Sequence, residues 1–128
     1  MDYKEFISNI FGSIKIVTED ENSFIIIVPT KYRFSDNSTR FKITIIDNNV
    51  IISDRGNTLQ YLKDIYVETE NYAEQIKNIC RINDIEIKNG VFEKNLSNLN
   101  NLERDFFNFI NTMYLIANIN ALDCREKV

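Results

Sequence analysis

Apolar residues recur every three or four positions near both ends of this chain, whereas in its middle they alternate with polar residues or run together, so helices flank a region of strands. Tyr3, Phe6, Ile7, Ile10, Phe11 and Ile14 share one helical face, with Asp2 and Glu5 at capping-box spacing and Gly12 as a stop. Phe24 to Val28 is an apolar, β-branched run closed by Pro29, which has no amide hydrogen to give a sheet ladder; a central strand is expected. From Phe41 to Asp47 apolar and polar residues alternate. Asp47-Asn48-Asn49 then offers turn chemistry before Val50, Ile51 and Ile52, which predicts an antiparallel hairpin.

Asp54-Arg55-Gly56 ends the second strand of that hairpin. Asn57 with Gln60 resembles a helix cap ahead of Leu59, Leu62 and Ile65. Asn71 and Glu74 form a similar pair before Ala73, Ile76, Ile79 and Cys80, which share one helical face. Asn89-Gly90 separates Ile85–Lys88 from Val91–Glu93 and is the strongest local hairpin signal in the chain. A final helix is predicted from about Leu99 to Leu122, with Leu102, Phe106, Phe109, Ile110, Met113 and Ala117 on its main stripe. Phe107, Tyr114 and Leu115 lie off that stripe. Such girth suits either a central helix wrapped by the domain or a homodimer contact. The predicted order is α-β-β-β-α-α-β-β-α over residues 1–128. It describes one α+β domain, a three-stranded antiparallel meander plus a short hairpin packed with about four helices.

A length of 128 residues suits one domain with a real core. Hydrophobic residues at 44% and charged residues at 27% place the chain among folded proteins rather than disordered ones. The net charge of −4 argues against a globally basic nucleic-acid binder but leaves room for a local basic patch. Cys80 and Cys124 make no disulfide framework, and without histidine or a Cys-x-x-Cys pair no structural zinc site is expected. Asp2, Lys4 and Glu5 interrupt any signal peptide, so a reducing cytoplasm is the simplest setting. The apolar tract from Phe106 to Ile119 contains Asn108, Asn111 and Asn118 and falls short of the roughly 20 apolar residues that cross a bilayer; no membrane association is expected.

Pro29, the polar loop after it, the hairpin and Ser53-Asp-Arg-Gly-Asn-Thr-Leu-Gln-Tyr-Leu62 together resemble the DUF1828 family, best from about Ile25 to Leu62. That family's pattern is a strand ending in a Thr-Pro-like step, a polar loop, a hairpin, then an (S/T)-D-x-G segment opening a helix. Here Pro29 precedes Thr30, and Arg55 stands where the family is often acidic. The resemblance implies a small bacterial or phage protein and carries no catalytic residues with it.

Three groups of residues could carry chemistry. At the elbow, Asp54 could meet a metal or partner while Gly56 lets a ligand approach, although both suit ordinary structural turn roles. Between Lys31 and Lys42, the cations Lys31, Arg33, Arg40 and Lys42 alternate with Tyr32, Phe34 and Phe41. This combination fits a protein partner, or phosphate contact with base stacking, or a solvated loop whose aromatics fold onto the core. Glu86-Ile87-Lys88 has the spacing of a nuclease-like carboxylate and cation, with Asp47, Asp54 or Asp64 as further oxygen donors, yet alternation alone predicts polar residues there. With no histidine, no catalytic constellation is recognised and no metal or cofactor is implied. The expected function is therefore non-catalytic macromolecule binding through Lys31, Tyr32, Arg33, Phe34, Arg40, Lys42 and Arg55. A protein partner is favoured and nucleic acid is the alternative. A phage or mobile-element inhibitor of a host defence system is one form of it.

Overall fold

The computed structural model describes residues 2–121. Asp2 caps the first helix, α1 (Tyr3–Phe11), by accepting hydrogen bonds from the amides of Lys4 and Glu5, and Gly12 ends it with a left-handed φ of 54°. Four strands follow: β1 (Lys15–Thr18), β2 (Ser23–Val28), β3 (Thr39–Ile46) and β4 (Asn49–Ser53). Helix α2 (Asn57–Asp64), a 3-10 turn (Thr69–Tyr72) and helix α3 (Ala73–Ile82) lead to β5 (Glu86–Lys88), β6 (Val91–Leu96) and α4 (Leu102–Ala117).

All six strands join one antiparallel sheet in the order β1-β2-β3-β4-β6-β5. The meander and the short hairpin are both present, and β6 docks on β4 to unite them, pairing Val50 with Leu96 and Ser53 with Glu93. Two tight turns adopt the form their residues favour. Asp47 and Asn48 (φ 50° and 65°) and Asn89 and Gly90 (φ 52° and 79°) are left-handed pairs that match the twist of the strands they join. Strand β1 was not expected: Ile14 continues the spacing of α1, but Gly12 breaks the helix and the chain turns back to pair with β2.

The helices cover one face of the sheet. Ile7 and Phe11 of α1, Leu62 of α2, Ile76 and Cys80 of α3 and the stripe of α4 share a single core with Phe24, Ile26, Phe41, Ile43, Ile52 and Phe92. Phe106 is the hub of the aromatic packing, edge-on to Phe11 at 4.8 Å and to Phe41 at 6.0 Å. Phe107 stacks edge-on to Phe11, so one residue that lay off the α4 stripe is used within the chain, and Leu115 is left 43% exposed. The expected end of that helix at Leu122, and Cys124, lie outside the described residues. The opposite face of the sheet carries Lys15, Val17, Ile27, Arg40, Lys42, Thr44 and Ile51, none of them part of the core. Among the described residues no helix is long and apolar enough to cross a membrane.

Removal of the fully buried Phe106 ring empties the junction between α1, α4 and β3. Phe106→Ala is expected to cost about 3–5 kcal/mol in urea unfolding, and a loss below about 1 kcal/mol would show that the rings repack around the gap.

Candidate binding surface at one end of the sheet

The elbow between β4 and α2 is built on Asp54, whose side chain has no solvent exposure. Its Oδ1 accepts hydrogen bonds from the amides of Gly56 (2.9 Å) and Phe92 (2.9 Å), and its Oδ2 accepts from Thr58 (3.0 Å). The Asp54 amide donates to the Phe92 carbonyl at 3.1 Å, so one residue ties β4, α2 and β6 together. Arg55 and Gly56 both take left-handed φ values, 62° and 79°, and Asn57 donates back to the Asp54 carbonyl at 3.1 Å. This is a tight turn in the form that normally asks for Asn-Gly or Gly-Gly. The helix cap expected at Asn57 is supplied instead by Asp54. Asn57 is the first helical residue and its side chain reaches the Arg40 carbonyl at 3.4 Å.

The β2–β3 connection is anchored by three tyrosines. Tyr32 is only 4% exposed, with its hydroxyl on Thr58 Oγ1 at 2.7 Å and its ring against Tyr61 and Tyr114. Burial, with Asp54 nearby as a smaller contribution, raises its pKa far above the ordinary phenol value. Tyr32 therefore leaves the set of expected contact residues: it is a peg that holds the loop on α2, where its apolar ring and satisfied hydroxyl are both sheltered. Tyr61 accepts from the Phe34 amide at 3.2 Å, and the Tyr114 hydroxyl bonds to Thr30 and Thr39.

With the loop pegged, its other side chains face outward. Lys31, Arg33 and Phe34 are exposed, Phe34 by 63%, and the Arg33 guanidinium stands 5.0 Å above the Phe34 ring. Arg40 and Arg55 are also exposed, whereas Lys42 is half-buried and bridges to Glu19 at 3.2 Å. Strand register brings these positions together. Lys15 pairs with Ile27 and Ile27 with Arg40, so the start of β1, the β2–β3 loop, the elbow and the β5–β6 turn all lie at one end of the sheet. That end holds Lys15, Lys31, Arg33, Arg40 and Arg55; among the described residues none of these five has an ion-pair partner. The turns at the opposite end carry Glu19, Asp20, Glu21 and Asp47. The alternation of strand direction thus gathers five cations at one end of an acidic chain, with Asp36 of the same loop and Glu68 and Glu70 near Arg55 as acids at that end. No family model, curated protein or solved structure matches the chain.

Composition and spacing did not point to Tyr66. It follows α2 at a φ of 63°, with its amide donating to the Lys63 carbonyl while Val67 donates to Leu62. These two bonds make a helix stop whose left-handed residue is usually glycine. The side chain is 94% exposed, so no packing within the chain offsets the strain. Tyr66 borders a groove of about 750 Å³ whose lining includes the apolar Leu59, Val67 and Val91 and the charged Arg55, Lys63, Glu68 and Glu70.

The remaining candidates have local roles. Glu86 and Lys88 are exposed and pair with each other at 3.2 Å, while Glu93 stands 3.8 Å from the same ammonium; together, Glu86 foremost, they raise the lysine pKa. Asp64 accepts from Gln60 at 2.8 Å. Among the described residues no group of three or more His, Cys, Asp or Glu is placed to hold a metal ion. Cys80 is a buried thiol, its pKa pushed up to about 11 by burial and, second, by Asp54.

Asp54→Ala leaves the amides of Thr58 and Phe92 buried without acceptors and that of Gly56 partly so, and is expected to cost at least about 3 kcal/mol in chemical denaturation; a near-neutral result would show that water replaces the carboxylate. Tyr66→Gly removes left-handed strain without removing a contact, and a gain of about 1 kcal/mol is expected by the same measurement. The Cys80 thiol ionises near its ordinary value when the chain unfolds and only near 11 when folded. Its contribution is therefore full below about pH 9 and is lost as pH rises towards 11. Stability measured across that window should fall less steeply in Cys80→Ala than in the parent chain.

Proposed function

We propose that this protein is a small non-catalytic binding protein that meets a macromolecule bearing negative charge through the basic end of its sheet. The observation that carries this reading is the gathering of Lys15, Lys31, Arg33, Arg40 and Arg55 at one end of a chain whose net charge is −4. Acids stand there too, Asp36 in the same loop and Glu68 and Glu70 in the groove beside Arg55, but among the described residues none of them pairs with the five cations, while Glu19, Asp20, Glu21 and Asp47 lie at the other end. Arginines beside an exposed aromatic ring are favoured interface anchors, and Arg33 over Phe34 is such a pair. Asp54, the most distinctive carboxylate in the chain, is already committed to three backbone amides. Cytoplasmic action and descent from the DUF1828 family belong to the same proposal.

A second reading is favoured by the other end. Glu19, Asp20, Glu21 and Asp47 form an acidic rim. An inhibitor encoded by a phage or mobile element could lay such a rim on the nucleic-acid-binding surface of a host defence protein. The two readings separate by charge reversal. Arg33→Glu with Arg40→Glu and Arg55→Glu is expected to abolish stoichiometric capture of a partner from native host lysate at low salt, while Asp20→Lys with Glu21→Lys leaves it intact. The reverse pattern would favour the inhibitor, and no capture by the parent chain at low or moderate salt would remove both.

A further inference from the structure

Resting on the reading that the basic end is the contact surface, we infer that its partner is single-stranded nucleic acid. Two requirements meet there and nowhere else among the described residues. The first is a row of cations spaced for a charged backbone. Lys15 lies on β1, Arg40 on β3 and Arg55 just beyond β4, and the three inter-strand steps from β1 to β4 span roughly 14 Å. The second is exposed aromatic surface for bases. Among the described residues Phe34 at 63% and Tyr66 at 94% are the two most exposed aromatic rings, the first in the β2–β3 loop and the second beside Arg55 and the Asn89-Gly90 turn.

Stacking on aromatic rings combined with backbone contact by Lys and Arg is the chemistry by which proteins hold unpaired strands, because every base has a π face. A duplex hides those faces within its stack. Tyr66 adds a separate reason: a large ring held in a left-handed conformation, touching solvent on nearly all of its surface, is maintained at the expense of the fold. A base stacked on it gives that ring a use. Glu68 and Glu70 line the same groove and repel a backbone, so the strand's phosphates are assigned to the cations outside it, Arg40 and Lys15, and to Arg55. Lys88 is held by Glu86 and Glu93 and adds little.

The test is fluorescence anisotropy of the full chain with a labelled oligothymidylate of about 15 nucleotides, a length within the site sizes such proteins use. A duplex of equal length and polyglutamate serve as competitors. Competition by the unlabelled oligonucleotide well ahead of either is expected. Replacing Arg40 and Arg55 by Gln should reduce the slope of log affinity against log salt by about 1.4, two contacts at about 0.7 each. Phe34→Ala and Tyr66→Gly should each weaken binding about tenfold, and Tyr66→Gly should do so while the fold becomes more stable, which excludes unfolding as the cause. Polyglutamate competing as well as the oligonucleotide, or affinity unchanged in the two aromatic variants, would overturn the inference and leave the basic end as a protein contact. No binding of either polyanion at low salt would overturn the inference and the reading it rests on together.

Discussion

A carboxylate without access to water holds the elbow at which the sheet gives way to α2. Three backbone amides, from Gly56, Thr58 and Phe92, converge on Asp54. Each amide belongs to a different segment: the turn, the first turn of α2 and the start of β6. Burying a charge is costly unless it is fully hydrogen-bonded, and charge-assisted bonds to amides are among the strong ones. The same carboxylate contributes to keeping Tyr32 and Cys80 protonated in the surrounding core. Without Asp54 the β5–β6 hairpin would lose a main tie to the chain segment that precedes it by almost 40 residues, a separation of 38 positions between Asp54 and Phe92.

Fixing the elbow also fixes where the charges go. Arg55 is set at the rim by a left-handed turn that Gly56 completes, and Thr58, capped by Asp54, receives the Tyr32 hydroxyl that pegs the β2–β3 loop. The loop's outward side chains, Lys31, Arg33 and Phe34, are then held at the same end of the sheet as Arg40. Preorganised cations and rings lose less freedom on binding than those of a mobile loop. A structural carboxylate thereby serves a binding surface that it never touches.

Local signals were legible in the sequence wherever one stretch of chain decides the outcome. The Phe24–Val28 strand, the Asp47-Asn48 and Asn89-Gly90 turns, the Asp2 cap and the buried stripe from Leu102 to Ala117 all depend on neighbours a few residues apart. Long-range pairings were not. Lys15–Thr18 is a four-residue edge strand whose register comes from β2, and the docking of β6 on β4 joins positions about 40 residues apart, as in Ser53 with Glu93. Asn57 outcompeted Asp54 as the expected cap because cap rules look one residue ahead of a helix, while the tight turn lets a carboxylate reach in from further back. Tyr32 had the composition of a contact residue and became core, since alternation of cations and aromatics does not say which rings fold inward. Tyr66 carried a faint signal: a tyrosine where a helix stop wants glycine, visible only once the end of α2 is known.

The central claim is that Asp54 is committed to architecture and that function belongs to the rim it positions. Native-state hydrogen exchange followed by NMR measures this directly at the three amides concerned. The amides of Gly56, Thr58 and Phe92 are expected to exchange only with global unfolding, alongside Ile43 and Ile52 of the sheet centre, and to lose that protection together in Asp54→Asn. Exchange of the three at loop rates, with Ile43 and Ile52 still protected, would mean that the elbow opens by itself, exposes its carboxylate and contradicts the account.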